Sequence, residues 1–112
     1  MSESDKWVAV IFTSTRSVSS DAKYQEWSTR MEELVAKQPG YISHIGFRDS
    51  KTRQGVTISY FEDEDSIRKW KTLNEHLEAQ KLGREEFYEE YSVKIAVVNR
   101  EYSWTKESLK EK

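Results

Sequence analysis

The chain has 112 residues, a formal net charge of −2 and no cysteine. This length predicts a single domain, residues 1–112, with one modest core. A nearly balanced charge argues against nucleic acid as a partner, for which a basic patch would be expected, and the lack of cysteine excludes disulfides and thiolate chemistry. The N-terminus shows no apolar signal segment, and no apolar run reaches the length of a membrane span. We therefore expect a soluble cytoplasmic protein that does not associate with membranes.

The first half of the chain predicts a strand, a helix and a second strand. Residues 7–15, WVAVIFTST, form a strand that is apolar on both faces. The helix that follows runs to about Lys37 and is ended by Pro39-Gly40. Residues 41–50 form the second strand, where Gly46 indicates a bulge or a close approach of another backbone.

The second half predicts a strand, a helix and a final strand. The loop SKTRQG leads into the third strand, and Gly55 is the expected positive-φ residue. Acidic residues 62–65 favour a helix start, and the apolar side chains after them recur at helical spacing. Gly83 breaks this second helix or joins two helical pieces, the second of which carries Phe87, Tyr88 and Tyr91 as anchors.

Residues 92–102 predict the last strand, and residues 103–112 a charged tail, so that the core spans about residues 7–102. The order β-α-β-β-α-β predicts an α+β, ferredoxin-like fold in which an antiparallel sheet carries both helices on one face. The other face would be bare, although the first strand is apolar on both sides and Phe61, Ala96 and Val98 are expected to add to it. Exposed apolar surface of this kind marks an interface, so we infer a homodimer packed sheet against sheet.

Three polar residues recur every fourth position on the second helix, where such residues lie above one another and face one space. They are His76, Gln80 and Arg84. His76 is a candidate general base, because imidazole titrates near neutral pH, or else a half-exposed histidine with a hydrogen bond. Arg84 is a candidate for holding an anionic or phenolate oxygen, or it pairs with a nearby carboxylate.

Further side chains are candidates for lining a pocket between the sheet and the second helix. They are Phe12, His44, Tyr60, Trp70 and Gln80. Trp70 fits a core position equally, and Tyr60 fits a strand tyrosine whose ring packs while its hydroxyl meets water. His44 and Arg48 share one strand face, which either lines a cavity or faces solvent. No metal site is predicted, because the acidic residues 62–65 lack a second cluster at suitable spacing.

Several segments resemble the antibiotic biosynthesis monooxygenase superfamily over about residues 7–102. They are WVAVIF, QPGYIS, VTISYFEDEDSIRKWK, EHLEAQKLGR and YSVKIAVVNREY. The resemblance implies a dimeric α+β barrel and an oxygenase that oxidises a small aromatic or quinol-like substrate without metal or flavin. No cofactor is therefore expected.

One branch of that superfamily degrades heme with an Asn on the first strand, a Trp on the second helix and a His about three turns later. Trp70 resembles that Trp, but Gln80 stands at the His position, and the first strand offers Phe12, Thr13 and Ser14 in place of Asn. Heme degradation by this route is not favoured. Two alternatives stay open: a heme or hydrophobic-ligand binding protein without turnover, with His76 as axial ligand, and a structural interaction module whose pocket is filled by side chains.

Overall fold

The structure is a computed structural model that describes residues 6–18, 21–76 and 86–106, without the side chains of residues 74–76. Its elements are β1 (Val8–Arg16), α1 (Asp21–Ala36), β2 (Tyr41–Arg48), β3 (Gln54–Phe61), α2 (Glu64–His76) and β4 (Tyr88–Val97). The strands form one antiparallel sheet in the order β2-β3-β1-β4. This arrangement confirms the predicted ferredoxin-like α+β fold.

Strand β1 lies in the middle of the sheet, where Ile11 is opposite Ile58 of β3 and Lys94 of β4. Because successive strand side chains point to opposite faces, Val8, Val10 and Phe12 face the helices and Ile11 faces the bare side. The sheet therefore has one face under α1 and α2 and one open face, as the element order predicts.

The core joins one residue from each of four elements. Val8 of β1, Val35 of α1, Phe61 of β3 and Ile67 of α2 form its buried cluster. Phe61 is opposite Val8 in the β1–β3 ladder, so it points to the helices and is 0% exposed. The prediction that Phe61 adds to the bare face is therefore wrong. On the open face, Trp7, Ile45 and Phe47 remain exposed in the described chain.

Helix α2 begins where the acidic run predicts. The carboxylate of Asp63 accepts hydrogen bonds from the backbone N–H of Ser66 at 3.0 Å and from its hydroxyl at 2.9 Å, which caps the helix. These bonds hold the pKa of Asp63 below its usual value of 3.8. Gly40, with φ of 81°, turns the chain between α1 and β2, and a Cβ there would collide with the Ser66 hydroxyl.

The last strand differs from its predicted bounds, because it begins at Tyr88 and ends at Val97. Tyr88 and Tyr91 pair with Arg16 and Ser14 of β1, so the helical prediction for these two tyrosines is wrong. Pairing with the central strand outweighs the helix propensity of the neighbouring glutamates. The predicted break at Gly83 lies outside the described residues.

Two predictions about backbone geometry are also corrected. Arg53, with φ of 64°, takes the left-handed conformation that was expected at Gly55. The irregularity in the β2–β3 pairing lies between Tyr41 and Ser43 instead of at Gly46. The expected close approach of another backbone at Gly46 is confirmed, because a Cβ there would lie 3.3 Å from the Val56 carbonyl oxygen. None of the helices in the described part of the chain is long and apolar enough to cross a membrane.

Candidate active site between the sheet and the helices

A cavity of about 610 Å³ lies between the helix-facing side of the sheet and helices α1 and α2. This volume suits a small organic molecule. Most of its lining is aromatic or aliphatic: Val10, Phe12, Tyr24, Trp27, Met31, Val35, Ile67, Trp70, Tyr88, Tyr91, Val93 and Ile95. The polar side chains in the lining are Ser28, Glu32, His44, Arg48, Thr57, Ser59 and Lys71.

Three predicted pocket residues lie in the lining of this cavity: Phe12, His44 and Trp70. Trp70 also packs against the core cluster, so it serves both as core and as cavity wall. Tyr60 lies on the opposite face of the sheet, where it is opposite Ala9 and its ring centroid is 6.3 Å from that of Trp7. The period of the strand explains this placement, because the next residue, Phe61, faces the helices.

The polar line of the second helix falls at and beyond the edge of the described chain. His76 is the last residue of α2, and its side chain is outside the described residues. Gln80 and Arg84 are outside them entirely. Their convergence on one space stays a prediction.

His44 is held in the cavity wall by a tyrosine. The Tyr41 hydroxyl oxygen lies 2.6 Å from His44 Nδ1, and the Tyr41 ring packs edge-on against Phe61 in the core at a centroid distance of 6.1 Å. This contact occupies Nδ1 and leaves Nε2 for a ligand. When Nδ1–H donates to the Tyr41 oxygen, Nε2 presents a lone pair and can accept a proton from a substrate.

The irregularity in β2 makes this pair possible. Residues three apart on a regular strand point to opposite faces, so a regular β2 would place Tyr41 and His44 on different sides. The register shift between Tyr41 and Ser43 brings both to the helix side, since Tyr41 is opposite Phe61 and His44 is opposite Ser59.

A second polar region lies further along β2, at Arg48. Its guanidinium donates from Nη2 to the Ser14 hydroxyl at 2.7 Å, and from Nη1 to the Arg53 carbonyl oxygen at 2.7 Å and to the Ser14 carbonyl oxygen at 3.4 Å. Gly55 provides the room, because a Cβ there would lie 2.7 Å from Arg48 Cζ. Glycine at position 55 therefore allows the guanidinium of Arg48 to approach the backbone of β3, and it is not there to form a turn.

Two tyrosines lie beside Arg48 in the same lining. The hydroxyls of Tyr24 and Tyr88 are 3.4 Å apart. Burial raises the pKa of the Tyr88 phenol, and the hydrogen bond with Tyr24 adds to this effect, so the phenol stays neutral at physiological pH. The sequence predicts Tyr88 in a helix, because the pattern of neighbouring residues does not reveal the pairing with β1 that places Tyr88 in this lining.

Arg16 fixes the position of Tyr24. This arginine is 2% exposed, and its Cζ lies 3.9 Å from the centroid of the Tyr24 ring. Its guanidinium donates to the Phe87 carbonyl oxygen at 2.8 Å and to the Asp21 carboxylate at 2.7 Å. The cation–π contact and the two bonds tie α1 to the start of β4 at this end of the cavity. The described residues contain no group of three or more His, Cys, Asp or Glu side chains placed to hold a metal ion.

The fold is a ferredoxin-like α+β domain with a cavity of small-molecule size between its sheet and its helices. Residues 8–82 match the antibiotic biosynthesis monooxygenase family, and the chain belongs to that family. The sequence resemblance is thereby confirmed.

Two relatives match the chain over 80% or more of its length. The chain is 39% identical over 95 residues to the uncharacterized protein YqjZ of Bacillus subtilis (strain 168), which covers 85% of this chain and 82% of YqjZ. It is 29% identical over 92 residues to the jasmonate monooxygenase ABM of Pyricularia oryzae, which covers 80% of this chain but 42% of that longer protein.

Solved structures share the fold at low identity. SnoaB from Streptomyces nogalater, a cofactor-independent oxygenase, is 18% identical with a TM-score of 0.67, over 88% of this chain and 96% of SnoaB. Rv0793 from Mycobacterium tuberculosis is 13% identical with a TM-score of 0.73, over 87% and 99%. A dimeric ferredoxin-like protein from Thermobifida fusca is 11% identical with a TM-score of 0.66, over 83% and 92%.

Proposed function

We propose that the protein is a cofactor-independent monooxygenase or oxidase that acts on a small aromatic or quinol-like substrate in the cavity between the sheet and the helices. One observation carries the proposal: the cavity of about 610 Å³ is lined mostly by aromatic and aliphatic side chains, with the Tyr41–His44 pair in its wall. Membership of the monooxygenase family and the likeness to SnoaB support it.

The chemistry starts with removal of a phenolic proton. The phenolate that results is electron-rich and passes an electron to O₂, and recombination of the radical pair forms a carbon–oxygen bond. A phenol and O₂ then give a quinone and one water, so that one oxygen atom enters the product and the other leaves as water. A hydroquinone and O₂ instead give a quinone and hydrogen peroxide. The apolar lining contributes by keeping bulk water from the inner part of the cavity, while its β4 wall at Val93 and Ile95 is about half exposed.

Two histidines are candidates for the base. His44 is favoured by its place in the cavity lining and by the Tyr41 hydroxyl, which can accept the Nδ1 proton while Nε2 takes up the substrate proton. His76 is the second candidate, on the polar line with Gln80 and Arg84, and Arg84 would stabilise the phenolate oxygen. Both assignments are parts of the proposal.

The active form is proposed to be a homodimer that buries the open face of the sheet. Trp7, Ile45 and Phe47 leave apolar surface on that face, and the related fold from Thermobifida fusca is dimeric. The cavity lies on the other face, so each protomer would keep a complete site.

Oxygen uptake with methylhydroquinone tests the proposal. We expect uptake by the wild-type protein and a decrease of about tenfold or more in the variant that lacks the base, His44→Ala or His76→Ala, in a protein that remains folded. Tyr41→Phe should slow the reaction if His44 is the base, while Tyr60→Phe, the same change on the opposite face of the sheet, should leave the rate unaltered. Wild-type rates in both histidine variants, or no uptake by the wild type, would refute the proposal.

The apolar lining also favours a second candidate, a protein that binds a hydrophobic ligand without turnover. It predicts saturable binding of a hydroquinone analogue with no consumption of O₂ above the uncatalysed rate. A heme titration tests its heme version: a Soret shift that is lost in His76→Ala supports it, and the absence of a shift removes it.

A further inference from the structure

We propose that the substrate carries a carboxylate and that Arg48 binds this group at the end of the cavity formed by Tyr24 and Tyr88. The inference rests on the proposed function, because it names the chemical class of the molecule in the same cavity. It assigns to Arg48 the role of a specificity-determining residue that is distinct from the base.

The charge of Arg48 is not balanced by the groups to which it donates hydrogen bonds. Its hydrogen bonds go to two backbone carbonyl oxygens and one hydroxyl, none of which carries a full negative charge. A guanidinium has about five N–H donors, so these contacts leave about two for a ligand. Within the described chain, the carboxylate of Asp21 pairs with Arg16 and Arg53, and no ion pair reaches Arg48. A half-buried cation of this kind is stabilised by an anion with planar, bidentate geometry.

The phenols of Tyr24 and Tyr88 lie beside the Arg48 guanidinium. Arg48 Cζ lies 5.8 Å from the centroid of the Tyr24 ring and 5.9 Å from that of Tyr88. The two hydroxyls share one hydrogen bond at 3.4 Å, which uses one O–H proton and leaves the other for a ligand. Since burial raises the pKa of Tyr88, this pair does not supply a competing phenolate. A guanidinium with a spare O–H donor suits an acceptor such as a carboxylate.

The rest of the cavity lining contains two other side chains with a full charge. Glu32 is its acidic side chain, and Lys71 is a second cation, but both are exposed at the rim, where water screens them. Arg48 and His44 lie four residues apart on the same face of β2, a span of about 13 Å along the strand. A molecule with its carboxylate at Arg48 therefore needs a side chain or second ring to place its oxidisable ring near His44.

The test measures binding with two redox-inert probes that differ in one charge, naphthalene-2-acetate and naphthalene-2-acetamide, by isothermal titration calorimetry without O₂. We expect the acid to bind the wild-type protein about tenfold or more tightly than the amide, because charge-assisted hydrogen bonds exceed neutral ones. Arg48→Gln should abolish this preference, because it should weaken binding of the acid far more than binding of the amide. Arg68→Gln, which removes an exposed arginine paired with Asp65 on α2, is the matched control and should keep the preference.

A further variant guards against a loss of folding. Arg48→Lys keeps the charge without the planar fork, and it should retain a smaller preference for the acid.

Equal affinity of the wild type for acid and amide would overturn the inference, and so would an Arg48→Gln variant that loses both ligands alike, since Arg48 would then be structural only. The fate of the proposed oxygenase is read separately. Selective binding of the acid without uptake of O₂ in the hydroquinone assay would support the carboxylate site and refute the oxygenase. Oxygen uptake with no preference for the acid would support the oxygenase and refute the carboxylate site.

Discussion

Ile45→Glu tests which face of the sheet forms the proposed dimer. Ile45 lies on the open face of β2, opposite Ile58 of β3, and is 52% exposed. Ile95 of β4 offers a matched control, because it is the same residue type, is 53% exposed, and points to the helix side of the sheet. The two substitutions add the same charge to opposite faces.

The expected effect follows from burial. Full burial of an isoleucine side chain contributes about 1.5–3 kcal/mol, so covering the exposed half of Ile45 contributes about 1 kcal/mol in each protomer. Two-fold symmetry counts this contribution twice, and each buried glutamate adds a desolvation penalty. A total loss of about 4 kcal/mol raises the dissociation constant of the dimer about a thousandfold.

Sedimentation velocity over a concentration series measures this constant, and circular dichroism checks that each variant is folded. We expect the wild type and Ile95→Glu to be dimers at micromolar concentration and Ile45→Glu to be a monomer. A wild-type monomer at that concentration would refute the dimer. Dissociation by Ile95→Glu and not by Ile45→Glu would place the interface on the helix side of β4, where Ile95 is as exposed as Ile45, and refute the assignment of the interface to the open face.

Two predictions concern the junction between α1, β2 and α2. Gly40→Ala should lower the free energy of unfolding by about 2 kcal/mol, because alanine disfavours the positive φ and its Cβ would meet the Ser66 hydroxyl. In urea denaturation, adding Ser66→Ala should recover only part of this loss, because the Ser66 Cβ would still lie 2.7 Å from the new Cβ and the positive φ remains. Full recovery would show that the backbone is not strained. Asp63→Ala should lower the melting temperature at pH 7 by removing the cap of α2. Since the folded-state pKa of Asp63 lies below 3.8, the difference from wild type should be complete above that pH and vanish as the pH falls through the folded-state value. A difference that persists unchanged to about pH 2 would contradict this explanation.

Much of the fold follows from local patterns in the sequence. The apolar run of β1 and the helical spacing of Ile67 and Trp70 are properties of neighbouring residues, so they predict the elements without knowledge of their partners. The start of β4 is different. Tyr88 and Tyr91 are separated by two glutamates that favour helix, and only the pairing with β1 makes this segment a strand.

Glycine positions show the same limit. Arg53 lies in the loop before β3 and Gly55 at the start of that strand. Glycine is the usual residue for a positive φ. The structure instead gives the positive φ to Arg53, and Gly55 accommodates the guanidinium of Arg48 from the neighbouring strand. The reason for Gly55 is a contact between strands, which sequence spacing does not reveal.

The candidate site was predictable in its residue types more than in its geometry. Phe12, His44 and Trp70 come from three separate elements, and the predicted topology is sufficient to bring these elements together. Whether His44 and Arg48 face a cavity or solvent depends on the side of β2 that the helices cover. The sequence leaves that choice open, because both faces of β2 contain polar and apolar residues.

The register of β2 decides both the candidate base and the proposed interface. His44 and Ile45 are neighbours on opposite faces, so a shift of one residue would move the imidazole to the open face and Ile45 into the cavity wall. The irregularity between Tyr41 and Ser43 fixes this choice, since it allows the Tyr41 ring to stay against Phe61 while its hydroxyl reaches His44. Without this register shift, β2 would lose either the packing of Tyr41 in the core or the hydrogen bond that orients the imidazole. The same register shift therefore supports the core, the proposed chemistry on one face and the proposed interface on the other.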